Sequence, residues 1–532
     1  MPIVDMLWSG WGDPERAERL PAAVTDLLRE LLGVHAEPAQ PVKLAEIEPP
    51  VARPVPLAGI LAVVGEEHVR TDDETRIRHT RGKSTSDLLR IRAGDARTAP
   101  DAVVLPGSHE EVAAVLAWCA GHRIAVVPFG GGTSVVGGLT PEAGAFAGVV
   151  ALDLRRLDRL VGVDTVSRTA TLQPGLRAPR AEELLNEQGY TLGHFPQSFE
   201  WASIGGFAAA RSSGQASAGY GRFDEMVVAL TLATPSGTIE TGRSPRSAAG
   251  PDLRQLVLGS EGAFGVITEV TVRIRPLPET RAYEGWLFPS LSEGVTALRA
   301  LAQDGPLPTV LRLSDETETM IGLARPGELG QQSGGSGGCL AICGYDGTAA
   351  EVAERRAKVR AVLEALGGAY QGEEPGESWA RGRFAAPYLR DALLDAGVLA
   401  ETLETAGFWS NLSRLYDAVR LTLSHQLSSS VVMCHVSHVY PAGASLYFTV
   451  VTAQGDEPLE SWGRAKAAVN DAIIEAGGTI THHHGVGVDH RDWYAREAGP
   501  LGVAALRAVK DRLDPEGIMN PGVLLPAPDR PA

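Results

Sequence analysis

The reading of PFGGGTSVVGG (128–138) decides the fold. It continues from RIAVVPF (123–129), whose apolar and β-branched residues predict a strand, and it opens that strand into a loop with five glycines. Such a loop exposes backbone N–H groups, and the missing side chains let a pyrophosphate approach closely. A Walker A loop needs Gly-Lys-Ser/Thr, and no lysine is present. A Rossmann fingerprint beginning at Gly130 and Gly132 needs a third glycine where Val135 stands. Standing alone, the stretch could equally be a plain glycine-rich turn.

Two more small-residue stretches follow it: SIGGFAAARSSGQASAGYGRFDE (203–225) and LGSEGAFGVITEV (258–270). Three backbone surfaces in this order suit one long, extended ligand contacted along its length. Around them the texture alternates between helix and strand. Ser108 with Glu111 marks a helix start, Val112, Val115 and Leu116 recur at helical spacing, and Gly121 ends the run. GVVALDL, ATLQPG, MVVALTLAT and VITEVTVRIRPLP read as strands, the last closing an α+β unit near residue 278. A second α+β unit begins near Tyr283. Its expected strands are TVLRLSD, CLAICGYDG, SSVVMCHVSHVY and ASLYFTVVTA. Its helices are expected at 349–366, near 388–403 and in WGRAKAAVNDAIIEAGG, and the Gly/Ser-rich LGQQSGGSGG (329–338) reads as a mobile loop. PAQPVKLAEIEPPVARPVPL (38–57) reads as an extended wrap. The organisation is a lead-in over 1–95, a ligand-binding unit over 96–280, a cap over 281–510 and a closing segment over 511–532.

At 532 residues, with 44% hydrophobic and 21% charged residues, the chain is globular with more than one core. Its formal charge of −17 argues against nucleic acid as the main partner, whereas a few local arginines can still read a small anion. Cys119, Cys339, Cys343 and Cys434 have no metal-binding spacing, which suits a reducing compartment. With early acids, no apolar leader and an ending in DRPA that is not a peroxisomal signal, the expected location is cytoplasmic.

ITHHHGVGVDH (480–490) gathers four of the 13 histidines. On an extended segment His482 and His484 point to one face and His483 to the other. Two imidazoles on one face, with His490 or Asp489, can bind a metal; a polar turn and an acid/base or anion-binding pocket wall are the other readings.

PFGGGTSVVGG, TLGHFPQSFEWASIGGFAAARSSG, YGRFDEMVV, TPSGTIE and GSEGAFGVITEVTVRIRPLPE together resemble the FAD-binding (PCMH-type) domain of the vanillyl-alcohol-oxidase flavoproteins. Within that superfamily the chain resembles the alkyldihydroxyacetonephosphate synthases, from MLWSGWGDP to LDPEGIMNPGVL, through GHFPQS, LRLSD, YLRD, SLYF and HHHGVG. The resemblance implies an α+β fold with a two-part FAD-binding domain and an α+β cap, and non-covalent FAD. It places the pyrophosphate on Pro128, Phe129, Gly130, Gly131, Gly132, Thr133 and Ser134. Flavin and ribityl chain would then meet Gln197, Ser198, Ser203, Gly206, Arg211, Ser212, Ser213, Gly214, Glu261, Gly262, Gly265, Val266 and Ile267.

The same resemblance implies that Tyr447 is a general acid/base, that His482, His483 and His484 line its pocket, that Arg390 reads a substrate phosphate and that His194 lies near the substrate. Arg312 is expected to support the flavin domain. Related 2-hydroxy-acid dehydrogenases hold a metal with a GH…NLH strand and an EHG turn. Here Tyr440 and Tyr447 stand on the strand and His483 replaces the acid, so no metal is expected. The implied reaction replaces the acyl group of an acyl-dihydroxyacetone phosphate by an alcohol, with C1 captured on flavin N5 and no net redox. The alternatives are an FAD-linked oxidoreductase of an alcohol or 2-hydroxy acid, and an inactive flavin-binding protein. Implied partners are an anionic small substrate, a long-chain alcohol, at most peripheral membrane contact and a second copy in a homodimer.

Overall fold

The computed structural model describes residues 5–17, 19–34, 40–322 and 337–527. Most of the expected Gly/Ser-rich loop lies outside the described residues.

The strand that delivers the glycine loop, Ile124–Phe129, pairs in parallel with Gly148–Asp153, which pairs in parallel with Ala102–Val104. Gly148–Asp153 is buried along its whole length, as a central parallel strand covered on both faces must be. The crossover between Ala102–Val104 and Ile124–Phe129 is the helix His109–Gly121. Ser108 caps it by accepting from Glu111 N at 3.2 Å, while the Glu111 carboxylate takes Gly107 N at 2.6 Å instead of closing a reciprocal box. The chain's end returns here: Val126 N donates to Ile518 O, and Asn520 N donates to Val126 O, both at 2.8 Å. A second, five-stranded antiparallel sheet runs in the order Leu160–Asp164, Thr169–Leu172, Val266–Arg273, Val227–Thr234, Gly237–Glu240. The helices Ala178–Asn186 and Ile204–Ala210 share its apolar core.

Seven antiparallel strands form the cap, in the order Ala369–Tyr370, Thr280–Phe288, Cys339–Gly347, Val310–Ser314, Val431–Tyr440, Gly443–Ala453, Val398–Phe408. The period of two sorts its residues. Val432, Cys434 and Val436, with Leu446, Phe448 and Val450, pack into the core made with the helices Leu291–Asp304, Ala349–Ala365, Leu412–Gln426 and Pro458–Glu475. Burying each Val, Leu or Phe there stabilises the chain by about 1.5–3 kcal/mol. The alternate residues, Met433, His435, Tyr447 and Thr449, turn to the opposite face. Between Val436 and Val439 the register shifts, so that Ser437 and His438 both oppose Ser445. This bulge turns His438 towards the same face as His435.

One expectation fails in the cap. The helix near 388–403 ends with Ala386–Asp395, and Val398–Phe408 is a strand. LAETLETA has strong helix formers, but pairing with Gly443–Ala453 along its full length overrides that propensity. The lead-in touches both units: helix Ala58–Val64 joins the core around the first sheet, and helix Ala22–Leu32 leans on the cap through Leu28 and Leu32. No helix among the described residues is long and apolar enough to cross a membrane.

Candidate active site

The cap sheet's polar face and the glycine loop enclose a cavity of about 1400 Å³. On the loop side the space belongs to a ligand's backbone contacts rather than to side chains. A Cβ on Gly130 would lie 2.5 Å from Ser203 Oγ, and one on Gly131 2.5 Å from Trp201 O; Gly132 has a φ of +70°. Gln197 Nε2 is buried without a partner on the same wall. This cradle fits the FAD expected from the sequence, whose pyrophosphate needs close backbone approach and whose polar edge needs fixed donors. All the residues expected to bind it line the cavity except Phe129, Arg211 and Gly214. Phe129 packs on His79, while Arg211 braces two of the small-residue stretches by donating to Leu258 O at 2.9 Å and Gln255 O at 2.7 Å.

On the cap side, strand register sets the chemistry. Glu404 pairs with Tyr447, and Tyr447 pairs with His435, so three adjacent strands present a row of carboxylate, phenol and imidazole. Tyr447 stacks on His435 with ring centroids 4.9 Å apart. The histidine loop then folds over Glu404. Its Oε1 accepts from the backbone N–H groups of His482, His483 and His484, each at 2.9 Å, and from the Thr481 hydroxyl at 2.7 Å. The three imidazoles are therefore fixed by their backbone on one buried anion and do not alternate across a strand. His482 turns to the Tyr440 hydroxyl at 2.7 Å, while His483 and His484 reach the cavity beside Tyr447.

Burial works to raise the pKa of Glu404. Positive charge on the His483, His484 and His482 imidazoles once they are protonated in acid, with the loop's N–H donors, outweighs it and holds the carboxyl far below its ordinary range. Burial lowers His482 and His483, and takes His484 down to about 3, so at neutral pH the loop carries free imidazole lone pairs beside an ionised carboxylate. Tyr447 is pushed up to about 12 by burial and stays a protonated phenol.

Arg390, on the helix Ala386–Asp395, lines the cavity; its Nη1 donates to Lys83 O at 2.6 Å and its buried Nε has no partner. His194 is not on the wall. It lies one layer behind, between Phe207 and Phe223, and meets the lining residue Ser212 at 3.0 Å. Arg312 corrects an expectation: it belongs to the cap strand Val310–Ser314, lines the cavity and binds Glu318 and His435 there, rather than supporting the flavin unit. Sequence reasoning overlooked Glu404, Glu318, His435 and His438. The two histidines of CHVSHVY were visible as a polar pair in an apolar strand, whereas Glu404 had no local signal.

Glu261 joins the two walls by accepting from Val486 N at 2.8 Å and Gly487 N at 2.9 Å. Burial raises its carboxyl to about 7 against those donors, from an ordinary 4.5. The folded chain keeps this proton where the unfolded chain has released it, so the group's stabilisation is complete below about pH 4.5 and lost as pH rises through 7. Chemical denaturation should show wild-type stability falling by about 3 kcal/mol across that window relative to Glu261→Gln.

The family described as "FAD binding domain" matches residues 100–243, and the one described as "FAD linked oxidases, C-terminal domain" matches residues 277–524. The chain is 32% identical to alkyldihydroxyacetonephosphate synthase of Trypanosoma brucei brucei, across 98% of this chain and 93% of that protein. A solved alkyldihydroxyacetonephosphate synthase superposes with a TM-score of 0.81 at 29% identity, covering 97% of this chain and 98% of the other. p-Cresol methylhydroxylase shares the fold, with a TM-score of 0.67 at 18% identity over 88% of this chain and 95% of its own.

Proposed function

This chain belongs to the alkyldihydroxyacetonephosphate synthase family of FAD-dependent enzymes, and from that premise we propose that it replaces the acyl group of an acyl-dihydroxyacetone phosphate by an alcohol, without net redox. The observation that carries this reading is the placement of Tyr447 and the Glu404-held histidine loop opposite the glycine cradle in one cavity. FAD bound in the cradle supplies an electron sink for the reacting carbon.

The chain's own residues bind the substrate and move protons. Arg390 reads the phosphate from the cavity wall: its Nε has no partner, and its Nη1 and Nη2 are steadied by Lys83 O at 2.6 Å and Asp391 Oδ1 at 3.3 Å. His483 and His484, neutral beside ionised Glu404, form the pair that accepts the C1 proton; Glu404 steadies the resulting imidazolium, and the pair returns a proton to C1 before the ether leaves. Tyr447 protonates the departing acyl oxygen and takes the proton of the incoming alcohol. His482 with Tyr440 anchors the loop, and His194 fixes the wall through Ser212.

Leu20, Val24, Leu28, Met433 and Val451 give the cavity an apolar wall, beside the charged Glu15, Arg16 and Arg19. It suits a long-chain alcohol, each buried methylene contributing about 0.8 kcal/mol. The same reading includes a cytoplasmic enzyme with peripheral membrane contact at most, a homodimer, and an FAD-binding unit over 96–280 capped by 281–510 and completed by 511–532.

Incubation with acyl-dihydroxyacetone phosphate and a labelled long-chain alcohol should give labelled ether and free fatty acid in equal amounts; fatty acid without ether would overturn the reading. Arg390→Ala should raise KM for the phosphorylated substrate by about 10–100-fold and leave that for a phosphate-free analogue unchanged, as expected for loss of charge-assisted hydrogen bonds to phosphate. Steady-state kinetics on the two substrates checks this.

A further inference from the structure

His438 has no part in the transfer scheme, yet the bulge in Val431–Tyr440 carries it to the histidine loop. His438, His482 and His483 each offer a ligand atom, and these atoms all lie within 4.8 Å of one another. Two of the rings are held by their other nitrogen. His438 Nδ1 meets Ser217 Oγ at 2.6 Å and Ser213 Oγ at 3.2 Å, and His482 Nε2 meets the Tyr440 hydroxyl at 2.7 Å. Outer partners of this kind fix ring orientation at metal sites and leave the opposite nitrogen for the ion. His482 Nδ1 lies 3.0 Å from His483 Nδ1. Two nitrogens on one tetrahedral ion, with bonds of about 2.0 Å, stand roughly 3.3 Å apart, so this pair needs little movement. His438 and His483 both line the cavity, so an ion held by them keeps a coordination position open towards it.

We propose that His438, His482 and His483 form a binding site for one transition-metal dication of the zinc, cobalt(II) or nickel(II) class. An all-imidazole donor set favours these ions over magnesium or calcium, which require oxygen ligands. Glu404 Oε1 is spent on the loop's N–H groups, while Oε2, 3.5 Å from His483 Nδ1, places negative charge beside the ion. On the function proposed above, the ion occupies lone pairs needed for the substrate proton and is therefore an inhibitor; the site itself does not depend on that reading.

The test is titration of the FAD-loaded full chain with Co2+, whose ligand-field bands lie to the red of flavin absorption. One Co2+ per chain is expected, displaced by Zn2+. It should be lost in His438→Gln and in His483→Gln, each judged folded by its flavin spectrum, and kept in His425→Gln, on the exposed side of the helix Leu412–Gln426. No binding at about 100 µM free Co2+, or binding that survives in both site variants, overturns the site. One equivalent of Zn2+ should lower turnover more than about tenfold, with recovery on chelation. Binding without inhibition would leave the site standing and contradict the proton-accepting role of the histidine loop.

Discussion

Replacing Glu404 by Ala is expected to lower turnover by at least about 100-fold, because displacement of catalytic groups by an ångström already costs that much. One carboxylate oxygen receives three consecutive backbone N–H groups and the Thr481 hydroxyl, so its removal releases the whole histidine loop rather than a single contact. Four donors then lose their shared partner in a buried place. Stability should fall by about 3–5 kcal/mol, since each buried donor left unsatisfied costs about 1–3 kcal/mol and relaxation of the loop recovers part of the sum. Glu404→Gln keeps one acceptor oxygen and should fall between wild type and Ala in both measurements. Thermal melts with kcat determined on FAD-loaded protein check this; a Glu404→Ala variant with wild-type stability and activity would show that the loop holds itself.

Tyr447→Phe is expected to separate chemistry from folding. The phenol sits between His435 and the two cavity-facing imidazoles, and burial keeps it protonated, with a pKa of about 12. Loss of its proton transfer should cost about 10²–10⁴ in kcat. Loss of its hydroxyl should cost only about 1 kcal/mol of stability. FAD content should not change, since Tyr447 lies on the cap and the cradle on the other unit. Activity within about threefold of wild type would remove Tyr447 from the proton path, because a true acid/base contributes far more.

The glycine loop was legible from the chain alone because its requirement is local: backbone N–H groups, a positive φ at Gly132 and no room for a Cβ at Gly130 or Gly131. Strands such as Val431–Tyr440 and Gly443–Ala453 were legible from their apolar runs. Glu404 was hidden twice. ETLETA favours helix locally, and Glu404 joins the hairpin pair Tyr447 and His435 only because its strand pairs with a residue some forty positions further on. His438 was hidden by the bulge, since strict alternation would have turned it to the helix-covered face. His194 stood out within GHFPQS, but its distance from the cavity depends on how Phe207, Phe223 and Ser212 pack around it.

On the proposed function, this cavity moves protons and exchanges groups without net redox. Strictly anaerobic FAD-loaded protein, mixed with excess acyl-dihydroxyacetone phosphate and a long-chain alcohol but no electron acceptor, tests it most directly. Many ether products per enzyme and an oxidised flavin spectrum are expected once substrate is exhausted. Product that stops at one equivalent, with a flavin left bleached until an acceptor is added, would contradict it and identify an oxidoreductase.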